Sequence, residues 1–336
     1  MSDKPELPRT RGVEIFCSHG LSQDEWNEWR GSQCSVGAST APTLLGINPY
    51  QGAYTAVKML RGDMQRPDLS GKWAVHLGNR LEQSVLDAVV KYKRPEWGEL
   101  LTGTYTFRHS LHQWATATPD AFIKSDGEID IPVEVKTSSD RRPWEWYAAT
   151  QDVSTVQDSS LFCYWAQVQH QMWVTGSPIG YLVGAVGRDL HLRLLEGWPL
   201  ENEVSSMYVF EIKRDEGWIN AALDKLSHAW FQCVNGSEEP DATRKDFEAL
   251  AQCARARTER LVDGQDHRNL IIEYQQVGDE KKAVTARHSD LSARIKQLIG
   301  EHYGMEVEPG YVINHKPYGD AGRRRLTFPR RKLEME

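Results

Sequence analysis

The amino-acid sequence predicts an α/β fold extended by a helical C-terminal part. Up to about residue 234, segments with apolar residues at helical spacing alternate with short runs rich in Ile and Val. Beyond residue 240 the apolar residues instead follow alternating three- and four-residue steps. The length of 336 residues suits two unequal units better than one core. The polar stretch "NGSEEPDATR" is the natural linker, so we place the units at 1–236 and 237–336.

Composition narrows the function classes. With 40% hydrophobic and 26% charged residues the chain reads as an ordinary soluble protein, and no apolar run is long enough to span a bilayer. The start, "MSDKPELPRTRG", has no apolar segment and does not read as a secretory signal, which predicts a cytoplasmic location. Five scattered cysteines without a CxxC pair predict reduced thiols and no zinc or iron–sulfur centre. A net charge of −7 excludes coating of nucleic acid by bulk attraction, so any DNA contact must be locally patterned.

The elements follow in order. Ser22 and Glu25 stand at capping-box spacing and predict a short helix ending near Arg30. Ser39 and Pro42 predict a second helix start, and "AYTAVKMLRG" a third helix stopped by Gly62. Residues 74–92 place Leu81, Val85, Ala88 and Val89 on one stripe, with Glu82 at its edge. Residues 102–108 and 114–124 read as strands. Asp126-Gly127 then turns the chain so that "ATATPDAFIK" and "IDIPVEVKTS" become antiparallel neighbours.

The helix "SLFCYWAQVQHQMWVTG" buries Leu161, Trp165, Val168 and Met172 and sets Tyr164, Gln167 and Gln171 along an adjoining line. Strands are expected at 179–187, 190–196 and 206–213, followed by a helix to about 234. In the C-terminal part, Leu270, Tyr274, Val277, Val284, Leu291, Ile295 and Leu298 form a seam with Lys281 and His288 in register. A shorter seam through Phe247, Leu250, Ala254 and Leu261 predicts an antiparallel helical hairpin, with a small β-hairpin after it.

The chemistry begins with "IPVEVKTS" at 131–138. Alternation buries Ile131, Val133 and Val135 on one face and puts Glu134 beside Lys136 on the other. Taken alone, that is a solvated Glu/Lys pair. The hairpin makes Asp120 a cross-strand candidate partner of Glu134, and Glu82 at the edge of a buried stripe needs a cation nearby. Two carboxylates about 4 Å apart repel by about 4 kcal/mol at an effective dielectric near 20, and one lysine cannot balance three acids. A divalent ion can, and hard oxygen ligands favour Mg²⁺ or Mn²⁺, with Lys136 beside it to orient water or stabilise charge on phosphate.

"TPD" with "VEVK", preceded by "GNRLE" and followed by "YWAQVQHQMWVTG", resembles the YqaJ-type viral recombinase (lambda exonuclease) family over roughly residues 22–230. The resemblance implies a PD-(D/E)xK, restriction-endonuclease-like core: a mixed central sheet flanked by helices that cuts DNA with Mg²⁺. It implies Asp120, Glu134 and the main-chain carbonyl of Val135 as metal ligands, Lys136 as the catalytic lysine and Glu82 as a further acid. Tyr164 and Gln167 would line the site. "DEWNEWRGSQCSVGAST" is similar to the family segment that holds the DNA end and its 5′-phosphate, which points to Arg30 and Ser39. A longer spacer between them, and Thr40 where the family commonly has Asp, depart from that pattern. So does Ser110, between His109 and His112, where an additional acid is usual.

The activity implied is a Mg²⁺-dependent exonuclease, 5′→3′ on linear double-stranded DNA ends, leaving 3′ tails for phage-type recombination. A homotrimeric ring and a single-strand annealing protein as partner are implied with it. An endonuclease of the same fold competes, and so does a non-catalytic DNA-binding or assembly module. The cluster Arg323, Arg324, Arg325, Arg330, Arg331 and Lys332 offers either a solvated hairpin face or a contact to DNA backbone or another subunit.

Overall fold

The structure is a computed structural model that describes residues 6–17, 25, 29, 34–67, 71–102, 105–197, 203–255, 265–299, 304–308, 311–318 and 323–327. It divides into two compact units, Met1–Arg257 and Thr258–Glu336.

The first unit is built on a five-stranded sheet of β2 (Leu100–Thr102), β5 (Ala121–Ile123), β6 (Ile131–Ser138), β7 (Ile179–Val186) and β8 (Met207–Lys213), in the order β2-β5-β6-β7-β8. Only β6 and β7 run parallel, so the sheet is mixed, as expected. A smaller antiparallel sheet joins β1 (Val13–Cys17), β3 (Tyr105–Arg108) and β4 (Thr116–Ala117). The strand expected over 114–124 is thus split between two sheets at Thr118-Pro119-Asp120, where a proline without an N–H cannot continue a ladder.

Helices cover both faces of the main sheet. Leu81, Val85 and Val89 of α3 (Trp73–Tyr92) pack on Val133 and Val135 of β6 and Val183 of β7. Trp144 of α4 (Arg142–Thr150) and Leu161, Val168 and Met172 of α5 (Ser160–Thr175) pack on Leu182, Phe210 and Ile212. Burial on both faces explains why β7 reads as a continuous apolar run. Gly184 is required there, because a Cβ at that position would lie 2.1 Å from the Trp144 ring.

Residues 190–196, expected as a strand, are instead part of the helix α6 (Arg188–Glu196). Alternating Leu with polar residues in "DLHLRLL" imitates a strand. The chain turns at Gly187, φ +107°, and burial of Leu190, His191 and Leu194 at helical spacing prevails. The helix start expected at Ser39 is α1 (Ala41–Leu44), with Thr40 at the N-cap and no side-chain cap.

The first unit reaches about twenty residues past the linker expected near 236. Asp246 is fully buried, and its Oδ1 accepts the Thr55 N–H at 3.0 Å and the Thr55 hydroxyl at 2.6 Å. Its Oδ2 accepts the N–H and hydroxyl of Thr243, both at 2.9 Å. Thr55 lies in the first turn of α2 (Ala53–Arg61), so Asp246 serves as a capping carboxylate from 191 residues away. Gly52 makes room for it, since a Cβ there would lie 2.0 Å from Asp246 Oδ2. After α7 (Glu216–His228), α8 (Phe247–Arg255) therefore belongs to the first unit, and Leu261 of its expected seam lies outside the described residues.

The second unit holds α9 (Arg268–Ile299) and an antiparallel sheet of β9 (Gly304–Glu308), β10 (Tyr311–Tyr318) and β11 (Arg323–Thr327) in the order β11-β10-β9. The expected β-hairpin is β10–β11, with β9 as a third strand. Ile299, Tyr311 and Ile313 form its small core.

Candidate active site

Strand alternation on β6 sets Glu134 and Lys136 on the face covered by α5. Glu134 is 1% exposed, and a carboxylate so buried needs every lone pair answered. Lys136 Nζ and Gln167 Nε2 both donate to Glu134 Oε1, and Gln171 Nε2 donates to Oε2 at 2.6 Å. Gln167 and Gln171 stand one helical turn apart, the spacing that presents two side chains to one strand. Tyr164, a turn earlier, places its ring centroid 5.5 Å from Lys136 Nζ. Gln169, by contrast, turns to the end of β8, bonding the Lys213 carbonyl and the Asp215 N–H.

Asp120 immediately precedes β5, whose Ala121 pairs with Val133. Its N–H donates to the Val133 carbonyl at 3.1 Å, and its Oδ2 accepts the Val135 N–H at 2.7 Å. Carbonyls two residues apart on a strand point to the same edge, so the carbonyl of Val135 faces the Asp120 side beyond the start of β5. Glu82 approaches from α3. One turn before it, Gly78 brings the helix close to β6, where an added Cβ would lie 3.7 Å from Thr137 Oγ1.

The electrostatics record an excess of negative charge. Burial, then the charge of Glu134, holds the Asp120 carboxyl well above its ordinary value; Lys136 offsets this only in part, and Glu82 adds to it. The Glu82 carboxyl is raised by burial and Glu134 in the same way. Burial pushes the Lys136 amine down, but Glu134 and Asp120 outweigh this and leave it above its ordinary value, protonated at neutral pH. Asp120, Glu134 and Glu82 are hard oxygen donors with too little cationic partner, a set that fits a divalent ion. Among the described residues, only His228, Cys233 and Glu238 have three potential ligand atoms all within 4.8 Å of one another. The three acids therefore converge more loosely than a closed ion shell.

A cleft of about 2210 Å³ opens over these groups, larger than a small-molecule pocket, and Ser39 lines it together with Glu82, Asp120, Lys136, Tyr164 and Gln167. Arg30 lies outside the described residues. His109 Nδ1 accepts the N–H groups of Leu111 and His112, both at 3.1 Å, and its ring centroid lies 4.5 Å from that of Trp173. Burial lowers the pKa of His109 to about 4. It is a turn-forming residue of an aromatic cluster. The side chains of Arg323, Arg324 and Arg325 lie outside the described residues, as do Arg330, Arg331 and Lys332. Gln171, absent from the expected site set, belongs to it. Its place four residues after Gln167 was the available signal.

No curated protein matches the chain. Among solved structures, the chain is similar to an alkaline exonuclease from Laribacter hongkongensis, with 16% identity and a TM-score of 0.46, over 69% of this chain and 98% of that one. It is also similar to a phage-related exonuclease from Haemophilus somnus 129PT, with 16% identity and a TM-score of 0.43, over 60% of this chain and 94% of that one. Residues 25–178 match the profile of the YqaJ-like viral recombinase domain. That span, just under half of the chain, carries Glu82, Asp120, Glu134, Lys136 and the α5 glutamines, and over it the chain is similar to the YqaJ-like viral recombinase domain.

Proposed function

We propose that the chain is a metal-dependent exodeoxyribonuclease that hydrolyses phosphodiester bonds at linear double-stranded DNA ends. The observation that carries this reading is the packing of Glu134 against Lys136, with Asp120 beside them and the Asp120 and Glu82 carboxyls raised by burial and by the charge of Glu134. The family match supports it. Mg²⁺, or Mn²⁺ in its place, would be held by Asp120, Glu134 and the Val135 carbonyl with Glu82 in reach, and would supply positive charge to the phosphate and lower the pKa of a bound water.

The protein's own groups divide the remaining work. Lys136 is protonated, so it donates hydrogen bonds to water or to a phosphate oxygen rather than accepting a proton. Gln167 and Gln171 fix the Glu134 carboxylate, and Tyr164 walls the lysine. Ser39, with Arg30, is assigned to the DNA end and its 5′-phosphate. The family likeness further favours 5′→3′ digestion leaving 3′ tails, a trimeric ring and a single-strand annealing partner. Such an enzyme works in the cytoplasm of a bacterial host.

The test follows end-labelled linear duplex, with and without a 5′-phosphate, in Mg²⁺. Wild type should shorten the labelled strand from the phosphorylated end, and Lys136→Ala and Asp120→Ala should not. Intact linear duplex alongside nicked closed circles would replace this reading with an endonuclease of the same fold. Absence of any Asp120-dependent Mg²⁺ or Mn²⁺ binding would leave a non-catalytic DNA-binding module.

A further inference from the structure

The longest helix of the protein carries an apolar seam that the described structure leaves in solvent. On α9 the residues Leu270, Tyr274, Val277, Val284 and Leu291 are all exposed, Tyr274 by 80% and Val284 by 67%. Their alternating four- and three-residue steps define a heptad in which Tyr274, Lys281, His288 and Ile295 occupy a positions and Leu270, Val277, Val284, Leu291 and Leu298 occupy d positions. A 32-residue helix with such a seam calls for a partner helix of matching length.

The flanking charges identify that partner. In this register the g positions are Glu273, Glu280, Arg287 and Arg294, all exposed, acidic in the first half and basic in the second. In a parallel pair, g residues meet e residues of the next heptad, here Gly278, Thr285, Ser292 and Ile299, and no ion pair forms. The parallel pair would also set Lys281 against Lys281 and His288 against His288. In an antiparallel pair g meets g. Aligning Tyr274 with Leu291 of the other helix brings Glu273 opposite Arg294 and Glu280 opposite Arg287, and two-fold symmetry repeats both pairs. The same alignment packs Lys281 beside Val284 and His288 beside Val277. Shifting by one heptad in either direction sets Glu280 against itself or Arg287 against itself, so the charges select one register.

We propose that α9 is a homotypic assembly element, pairing antiparallel with α9 of a second copy of the chain in the Tyr274–Leu291 register. In this register the contact runs from Tyr274 to Leu291, with Leu270 facing Ile295 at its ends, where Ile295 also packs on the small core of Ile299, Tyr311 and Ile313. This goes beyond nuclease activity and is independent of it. The seam is self-complementary, so it closes on two copies without leaving a sticky end.

The full-length chain tests this by sedimentation equilibrium at low salt, where exposed ion pairs count most. Glu280→Arg, a change on an exposed surface, should lower the mass at least twofold relative to wild type, and Glu280→Arg with Arg287→Glu should restore it. Under mild oxidation, Tyr274→Cys protein mixed with Leu291→Cys protein should give a mixed disulfide dimer, with wild type as the control for native cysteines. Equal masses for all three proteins would overturn the proposal. So would disulfides of Tyr274→Cys with itself in place of the mixed product, which marks a parallel pair.

Discussion

Gln171 donates its side-chain amide to Glu134 Oε2 at 2.6 Å in a setting where both residues are almost wholly buried. The opposite oxygen of the same carboxylate receives Lys136 and Gln167, so Glu134 is gripped from both sides before any ligand arrives. A carboxylate so held keeps one orientation, which pre-organises the site.

Replacing Gln171 by Leu removes the donor to Oε2 and leaves a buried carboxylate oxygen without a partner. The expected cost is about 1–3 kcal/mol of stability, together with weaker Mg²⁺ binding because Glu134 is free to turn. Urea unfolding and calorimetric titration with Mg²⁺ check the two effects separately.

Lys136→Ala removes the cation paired with Glu134 while leaving the oxygen donors in place. Turnover on linear duplex should fall by about 10²–10³-fold, the scale for losing one charge-stabilising donor, with Mg²⁺ affinity retained or increased. Single-turnover digestion beside metal titration distinguishes this from general loss of the site.

The raised Asp120 carboxyl makes a prediction about pH. Its folded form holds a proton that the unfolded chain has already released, so between the ordinary carboxylate value and the raised one the folded state binds more protons. Metal-free stability should therefore fall as pH rises through that window, and Asp120→Asn should flatten the slope. Since Mg²⁺ competes with this proton, its stabilising effect should grow with pH. Melting temperatures measured across pH with Mg²⁺ and with chelator give both trends.

Gly184 pairs with Lys136 across the parallel β6–β7 ladder and lies under the Trp144 ring. Gly184→Ala should cost about 1–3 kcal/mol through overpacking and also lower activity, because the displaced strand carries the lysine's neighbour. Thermal unfolding and duplex digestion report the two consequences.

Asp246→Ala strips one carboxylate that answers the backbone and hydroxyl groups of Thr55 and Thr243. We expect a loss of about 2 kcal/mol, typical of a strong helix cap, and earlier proteolysis of the 237–257 segment. Limited proteolysis followed by mass spectrometry locates the cut.

Period and turn chemistry made much of this protein legible in its residues. The Asp126-Gly127 turn made Asp120 a candidate cross-strand neighbour of Glu134, and the alternation of 131–138 set Glu134 beside Lys136, since a two-residue period leaves no freedom about faces. The line Tyr164, Gln167, Gln171 was likewise contained in the helical period. Three features needed the tertiary structure. Residues 190–196 satisfy both periods, and only packing of Leu190 and Leu194 under the sheet selects the helix. Helical spacing sets Gln171, and not Gln169, in line with Gln167, but only the placement of Glu134 and β8 decides what each glutamine bonds. Asp246 stands 191 residues from the helix it caps, a relationship that no local pattern encodes because hydrogen bonding between distant segments depends on how the whole chain closes.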